Sequence, residues 1–240
     1  IDKAEELREK WGVESGQLWQ LGEHRLICGD CTDRAVVDKV MQGQRATLAP
    51  VDPPYNVGFD YDGQTTDDNM ASDAYESFSK KWFALCQSVS ERQLVTPGCN
   101  NLILWMRWFD PYHWGVWTKT NSMTNGRVSH FWCWEPILFF GEHWGKKRHS
   151  DIFDFPIGQQ KNVANHPCPK PLEMWVDILE NYSEPNDLIF ESFNGSGTTL
   201  IACERLNRKC RAVEISPAYV AVAIQRWVDV TGKEPVLLGS

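Results

Sequence analysis

The segment that most constrains this chain is Asp52-Pro53-Pro54-Tyr55, which directly follows the short apolar run Ala46 to Val51. A run of this length and character is typical of a buried strand, so the four residues are predicted to lie where a strand ends and a loop begins. In open α/β sheets, ligands bind at that edge, beyond the carboxyl ends of the strands.

Two consecutive prolines make this loop stiff, because each fixes its φ angle, lacks an N–H group and biases the residue before it towards an extended backbone. The loop therefore presents the Asp52 carboxylate, the Pro53 carbonyl and the Tyr55 ring. These groups suit a planar heterocycle with an exocyclic amine, which would donate to Asp52 and Pro53 while the ring stacks on the base. The alternative is a loop that contains these residues by chance, as short motifs often do.

The 240-residue length is enough for one large α/β core or two small ones, and we expect a single domain. No run approaches the roughly 18 apolar residues of a membrane span, and the charged start is unlike a secretory signal. These features predict a soluble, cytoplasmic protein with no membrane partner. A start at Ile1 rather than Met is compatible with a chain that is processed or cut from a longer one.

The eight cysteines are scattered along a chain that is large enough to need no disulfides, which favours free thiols in a reducing compartment. Cys28 and Cys31 form a C-x-x-C pair, but there is no second such pair and no His pair at the usual spacing. We therefore favour two small residues at a strand end over a zinc site, and expect no metal.

The net charge of −8 counts against a nucleic-acid-binding protein, which usually has a basic contact face. Acidic residues can nevertheless lie on the far side of the molecule. A local basic cluster at Lys146, Lys147 and Arg148 offers a surface that could contact DNA phosphates.

The middle of the chain is rich in aromatic residues. Helical spacing predicts a helix over 72–89, whereas Asn101 to Arg107 is interpreted as a buried strand. Phe131 to Phe140 is interpreted as a strand that Glu135-Pro136 breaks, which makes part of it an edge or a bulge. Of the six tryptophans between 105 and 134, we expect four to pack in the core.

A second informative stretch runs from 187 to 199, where a strand, a glycine turn and a helix follow one another. Glycines let the backbone approach a ligand closely at a helix N-terminus. The turn lacks the Gly-Lys-Ser/Thr ending of a P-loop, and the next strand ends in Glu214, about 20 residues on, where such sheets bind ribose hydroxyls. This pattern predicts a nucleoside site without phosphate-binding groups, which points to S-adenosylmethionine rather than NAD or ATP.

Two further residues have an ambiguous role. Asp30 follows a strand and could accept hydrogen bonds from a nucleoside, although on its own segment it is favoured as part of a helix N-cap. Lys170 precedes a helix whose N-terminal dipole favours anions, so its presence there suggests a ligand carboxylate.

Together, Asp52-Pro53-Pro54-Tyr55, His166-Pro167 with Lys170-Pro171, and Phe193-Asn194-Gly195-Ser196-Gly197 followed by Glu214 resemble the motifs of amino-methylating DNA methyltransferases. The order of the motifs is similar to that of the permuted β group. The resemblance spans about residues 17–228 and implies a Rossmann-like α/β fold. In that fold a mostly parallel sheet carries an antiparallel hairpin and has helices on both faces.

The resemblance also implies roles for individual residues. The target amine and base would be held by Asp52, Pro53, Pro54 and Tyr55. The cofactor S-adenosylmethionine, which leaves as S-adenosylhomocysteine, would be bound by Asp30, His166, Lys170, Glu191, Phe193, Asn194, Gly195, Ser196, Gly197, Thr198 and Glu214. On this basis Asp30 contacts the adenine of the cofactor, which reverses the preference for a cap. In the family, Asp at the first catalytic position accompanies adenine N6 more often than cytosine N4.

The chain departs from the family pattern at Glu191-Ser192, where Asp-Pro is usual, so the contact of this carboxylate with the cofactor is in question. The stretch available for target recognition, about 141–164, is short. Double-stranded DNA would then be recognised over a short site, or with the help of a second subunit of a homodimer or of a missing domain. Three alternatives stay open: N4-cytosine methylation, methylation of RNA or a small amine, and a non-catalytic nucleic-acid-binding module with a vestigial cofactor pocket.

Overall fold

The computed structural model describes residues 2–58, 69–121, 132–142, 144, 149–157 and 170–239. Its helices are α1 Asp2–Trp11, α2 Arg34–Met41, α3 Ser72–Val89, α4 Leu102–Trp108, α5 Leu172–Tyr182, α6 Thr198–Arg205 and α7 Pro217–Thr231. Its strands are β1 Leu18–Leu21, β2 His24–Cys28, β3 Ala46–Val51, β4 Ser90–Val95, β5 His113–Thr118, β6 Trp134–Phe140, β7 Ile152–Asp154, β8 Leu188–Glu191, β9 Lys209–Glu214 and β10 Val236–Gly239. A short 3-10 turn, Cys99–Asn101, precedes α4.

The strands form one mixed sheet in the order β10-β1-β2-β9-β8-β3-β4-β6-β5-β7. Its centre is parallel, from β2 through β9, β8 and β3 to β4. The antiparallel pair β5 and β6 lies on one side of this centre, and β1 and β10 lie on the other. The expected mostly parallel sheet with an antiparallel hairpin is confirmed, and the carboxyl ends of five parallel strands share one edge.

Helices cover both faces of the sheet, and a separate apolar core lies under each set. One core includes Met174 and Trp175 of α5, Leu200 of α6 and Val220 of α7. The other includes buried side chains of α2 and α3 and Trp105 of α4. Side chains of this size contribute roughly 1.5–3 kcal/mol each when fully buried, so the two cores hold the strand ends in place. Within the described residues, no helix combines the length and apolarity needed to cross a bilayer.

The strand predicted over Asn101 to Arg107 is wrong, because these residues belong mainly to α4. Of this helix only Trp105 is buried, and 65% of Ile103 is exposed, so the apolar run packs on one side instead of two. The place beside β3 is taken by β4, whose first four residues, Ser90 to Gln93, are polar. A composition rule that expects apolar residues on both faces misses such a strand.

The strand containing Pro136 is continuous, and its N-terminal half is the edge-like part that the sequence indicated. The ladder to β4 covers only Leu138 to Phe140, so Pro136 pairs with β5 alone and its missing N–H breaks no bond to β4. We expected four of the six tryptophans between 105 and 134 to pack in the core, and fewer are buried there. Trp105 and Trp117 are buried, whereas Trp114 and Trp132 are more than half exposed.

Candidate active site

The loop at residues 52–55 begins where β3 ends, between the ends of β8 and β4. Its first residue is held by the residue that follows β4. The Thr96 backbone N–H donates to the Val51 carbonyl over 3.0 Å, and the Thr96 hydroxyl donates to Asp52 Oδ1 over 2.7 Å. The position of the Asp52 carboxylate is therefore determined by the adjacent parallel strand.

The back of the loop is also braced. Asn101 Nδ2 donates to the Tyr55 carbonyl over 2.8 Å, and the Tyr75 hydroxyl donates to the Pro54 carbonyl over 3.0 Å. Gly98, at φ 75°, lies so close to the Tyr55 ring that a Cβ there would be 3.0 Å from it. Among the described residues no donor hydrogen-bonds to the Pro53 carbonyl.

A buried lysine lies against the Asp52 carboxylate. Lys170 Nζ is 2.8 Å from Asp52 Oδ1, 3.0 Å from Oδ2 and 2.5 Å from the Tyr55 hydroxyl. It is also 3.2 Å from Glu135 Oε2, and the Tyr55 hydroxyl is 3.1 Å from the same oxygen. Lys170 was predicted to meet a ligand carboxylate, and the structure places it between two carboxylates of the chain itself.

The charge states of this cluster follow from its contacts. Burial by itself lowers the pKa of Lys170, but the charges of Asp52 and Glu135 outweigh this effect and raise it above the usual value. Burial likewise raises the pKa of Glu135, but Lys170 and Lys119 bring it down to about 2. Burial, with the charges of Asp52 and Glu135, raises the pKa of Tyr55 well above its usual value. At neutral pH the cluster thus contains a charged lysine, an ionised Glu135 and a protonated tyrosine.

The glycine turn lies beside this loop, at the ends of β8 and β9. The Gly195 N–H donates to Glu214 Oε2 over 2.7 Å, and the Ser216 N–H donates to Glu214 Oε1 over 2.8 Å. Gly195 and Gly197 have φ values of 50° and 85°, a region that favours glycine. The predicted pairing of a glycine turn with an acidic strand end is thus present in the fold.

Asn194 and Arg226 complete the turn. Asn194 is buried, and its Oδ1 has no hydrogen-bond partner in the part of the chain that the structure describes. Arg226 of α7 donates to the Ser196 carbonyl over 2.6 Å and to its hydroxyl over 2.9 Å, which supports the turn from beneath. A buried acceptor without a donor is costly, so the site at Asn194 suits a ligand that donates a hydrogen bond.

Glu191 stands where the family pattern has Asp. Its two carboxylate oxygens accept from the Phe193 N–H over 3.0 Å and from the Thr199 hydroxyl over 2.7 Å. Burial raises the pKa of Glu191 to about 8, and the charges of Asp52 and Glu214 act in the same direction. The longer Glu191 side chain is therefore hydrogen-bonded within the turn itself. Asp52 and Glu214 are close enough to raise its pKa further.

Asp30 does not cap α2. The cap is Asp33, whose side chain accepts from the Ala35 N–H, while Asp30 accepts from the backbone and the hydroxyl of Thr32. Asp30 is exposed, and the Gly29 N–H beside it donates to the Glu214 carbonyl over 2.9 Å. The N-cap thus lies within the stretch 30–33, at Asp33 rather than Asp30, and the position of Asp30 next to Glu214 is compatible with the expected contact to a nucleoside.

Sequence reasoning missed three residues that contact the loop at 52–55 in the structure: Thr96, Asn101 and Glu135. A signal was available for Glu135, because a charged residue inside an apolar strand is unusual. Four predicted residues lie outside the described part of the chain: His166, Lys146, Lys147 and Arg148. Half of the 141–164 stretch lies outside it as well. Within the described residues, no three His, Cys, Asp or Glu side chains are grouped as metal ligands.

The two predicted halves of the site meet at one edge of the sheet. β3 and β8 are neighbours, with Leu48 opposite Ile189, so the loop at 52–55 and the turn at 193–197 follow adjacent parallel strands. Such a junction places a group held by one loop next to a group held by the other, as transfer between two ligands requires.

Comparisons with known proteins agree with this geometry. Residues 47–225, about three quarters of the chain, match the N6/N4 methyltransferase family model, described as DNA methylase. Type II methyltransferase M.HpaI of Haemophilus parainfluenzae is 25% identical over 85% of this chain and 74% of its own length.

Solved structures share the fold. The complex of M1.HpyAVI with S-adenosylmethionine (SAM) has a TM-score of 0.63 and 18% identity, covering 84% of this chain and 97% of that one. The PvuII DNA methyltransferase, which is cytosine-N4-specific, has a TM-score of 0.65 and 16% identity, covering 86% of each chain.

Proposed function

The chain belongs to the N6/N4 DNA methylase family, and from this premise we propose that it methylates the exocyclic N6 of an adenine in double-stranded DNA, with S-adenosylmethionine as the methyl donor. The observation that carries the proposal is the pair of acceptors at the end of β3. Asp52 and the Pro53 carbonyl stand beside a glycine turn with an acidic partner, at the edge where the sheet ends.

The residues of the turn fit S-adenosylmethionine. Glu214 is held by two backbone N–H groups in the position from which such sheets bind a ribose, and the unpartnered Asn194 Oδ1 suits a donor of the ligand. The cofactor would be held by Asp30, Glu214 and the turn 193–198. It supplies a methyl group on a sulfonium sulfur; the reaction forms an N–C bond and breaks the S–C bond, whose electron pair stays on sulfur.

The chain's contribution is to make the amine nucleophilic. The lone pair of adenine N6 is delocalised into the ring until two acceptors, here Asp52 and the Pro53 carbonyl, each bind an N–H and draw the nitrogen towards tetrahedral geometry. The surplus proton of the methylated nitrogen leaves to Asp52 or water. Holding the partners in attack geometry supplies on the order of 7–11 kcal/mol, and the two acceptors add stabilisation that grows as nitrogen becomes positive.

The target base must leave the duplex to reach this loop, at a cost of a few kcal/mol. Stacking on the Tyr55 ring offsets part of that cost. The braced geometry of the ring supports this role, because Asn101 and Gly98 hold the ring and its backbone in one position.

Cytosine N4 is the second candidate target. It presents the same exocyclic amine, and the fold is similar to that of the cytosine-N4-specific PvuII enzyme. Adenine is favoured by Asp52, since Asp at this position accompanies adenine N6 more often than cytosine N4 in the family that the motifs resemble.

The experiment incubates the purified chain with labelled S-adenosylmethionine and, separately, duplex DNA, RNA and free nucleosides, then digests the products and separates methylated nucleosides by mass spectrometry. N6-methyladenine from duplex DNA is the expected result. N4-methylcytosine would move the proposal to the second target, and label in RNA or nucleosides alone would reject DNA as the substrate.

A further inference from the structure

The Asp52 carboxylate already accepts hydrogen bonds from three side chains of the protein. Oδ1 accepts from the Thr96 hydroxyl over 2.7 Å, the Tyr55 hydroxyl over 2.8 Å and Lys170 over 2.8 Å, and Oδ2 receives Lys170 over 3.0 Å. A carboxylate offers about four lone-pair sites, and three of these contacts fall on one oxygen. Oδ2 has room for a further donor, but Lys170 spans both oxygens, so an incoming amine meets its ammonium group at either one.

Of the three donors, Lys170 is the charged one, and it has a second carboxylate within reach, Glu135 at 3.2 Å. Thr96 is tied through its backbone to Val51, and Tyr55 is held by Asn101 and Gly98. Lys170 instead reaches the carboxylate with an ammonium group on a flexible four-carbon side chain.

A second acceptor is positioned to receive the displaced ammonium. Glu135 Oε2 is 3.2 Å from Lys170 Nζ, and Glu135 is itself buried and ion-paired with Lys119. A buried charge that loses its partner is strongly destabilised, but here the ammonium stays paired when it leaves Asp52. The Trp117 ring, 5.7 Å from Nζ, offers a further favourable surface.

The proposed chemistry also favours this displacement. Positive charge develops on the amine nitrogen during methyl transfer, and an ammonium group that shares the same carboxylate opposes it. A carboxylate neutralised by Lys170 is also a poorer acceptor for the surplus proton.

We propose that Lys170 occupies the place of the target amine on Asp52 in the free protein and transfers to Glu135 when the base enters, so that both are positioning residues for the reaction. The inference rests on the proposed function, because it needs an amine substrate at Asp52. It adds that Lys170 changes its partner from Asp52 to Glu135 when a base enters the site.

The test is a double-mutant cycle of Glu135→Gln and Lys170→Met, measured as initial rates of methyl transfer at saturating cofactor. Glu135→Gln removes the charge that receives Lys170, so we expect the rate to fall roughly 10- to 100-fold, as for a lost charged hydrogen bond. In that background Lys170→Met removes the trapped ammonium and should raise the rate at least about tenfold. A double variant no faster than Glu135→Gln contradicts the exchange.

The matched control is the exposed pair Glu76 and Lys80 on α3, changed in the same way, for which the two substitutions should act independently. Calorimetric affinity for the cofactor and the unfolding temperature show whether each variant is folded. If Glu135→Gln does not fold, the wild-type complex with S-adenosylhomocysteine and DNA decides instead. Lys170 Nζ should then be within hydrogen-bond distance of Glu135 and beyond it from Asp52, and an unmoved Lys170 rejects the proposal.

The outcomes separate the exchange from the proposed function. The cycle is run on whichever acceptor, DNA, RNA or nucleoside, the wild-type protein methylates. A wild-type protein that methylates none of them rejects the function and the exchange together. A protein that methylates DNA without rescue in the double variant rejects the exchange alone.

Discussion

The Thr96 hydroxyl donates to the Asp52 carboxylate over 2.7 Å, and it thereby ties the end of one parallel strand to the loop that follows its neighbour. Thr96 occupies this place because β4 pairs with β3 in register, with Val95 opposite Val51. The position of the Asp52 carboxylate thus depends on a pairing between segments that are 44 residues apart in the chain.

Thr96→Val should slow methyl transfer by roughly tenfold, because it keeps the shape of the side chain but removes a hydrogen bond to a charged group. Thr96→Ser keeps the hydroxyl and should retain most of the rate. Single-turnover kinetics at saturating cofactor measure this difference. Equal rates for the two variants would show that the contact does not position Asp52.

Asp52→Ala should lower methyl transfer by at least roughly 10²–10³-fold, the size expected when a group that stabilises developing charge is removed. Cofactor affinity should stay nearly unchanged, because Glu214 and the glycine turn are intact. The measurements are product formation and calorimetry. Asp38→Ala, on the exposed side of α2, is the control, and a rate near that of the wild type for Asp52→Ala would refute the assigned role.

Gly195→Val should abolish measurable cofactor binding. Gly195 has a φ of 50°, which a β-branched residue adopts only with strain, and its N–H holds Glu214 in place. Gly232→Val is a matched control, since Gly232 also has a positive φ, 68°, but caps α7 in open space. Calorimetric titration should find binding in the control and none in the variant; similar affinities would contradict the cofactor site.

The buried Glu191 carboxyl should make stability depend on pH. Its folded-state pKa, raised by burial to about 8, exceeds the usual value of 4.5, so the folded protein holds the proton more tightly than the unfolded chain. The stabilisation from this group is fully present below about pH 4.5 and is lost as pH rises towards 8.

Glu191→Gln should therefore gain stability relative to the wild type as pH rises from about 5 to 8, by up to a few kcal/mol. Gln resembles the protonated carboxyl and keeps a partner for both Phe193 and Thr199. Denaturant unfolding of the two proteins across this range measures the difference. Glu173→Gln, at an exposed site, should show no such trend, and a constant difference for Glu191→Gln would contradict the pKa shift.

Features with local causes could be predicted from the sequence. The strand before Asp52, the glycine turn and the acid at the end of β9 all occur as expected, because hydrophobic runs, prolines and glycines act on their own segment. The start of α7 has an equally local cause, because Ser216 caps the helix and Pro217 is its first residue.

Two errors in secondary structure came from judging a segment by its composition. The apolar residues of α4 suggested a strand, and the polar start of β4 concealed one, because composition does not show which neighbours a segment meets. The sequence located the N-cap of α2 within 30–33 but did not distinguish Asp30 from Asp33, because the two side chains offer the same chemistry.

The sequence alone thus determined the local features on which the proposed chemistry rests: a stiff acidic loop, a glycine turn and a second acid, each defined by its own backbone constraints. The tertiary structure alone decided what surrounds them. Lys170 and Glu135 reach the loop from 118 and 80 residues away in the chain, and the contacts among them change the pKa of each group. Charges act through space, and only the folded sheet brings these side chains within 4 Å of one another.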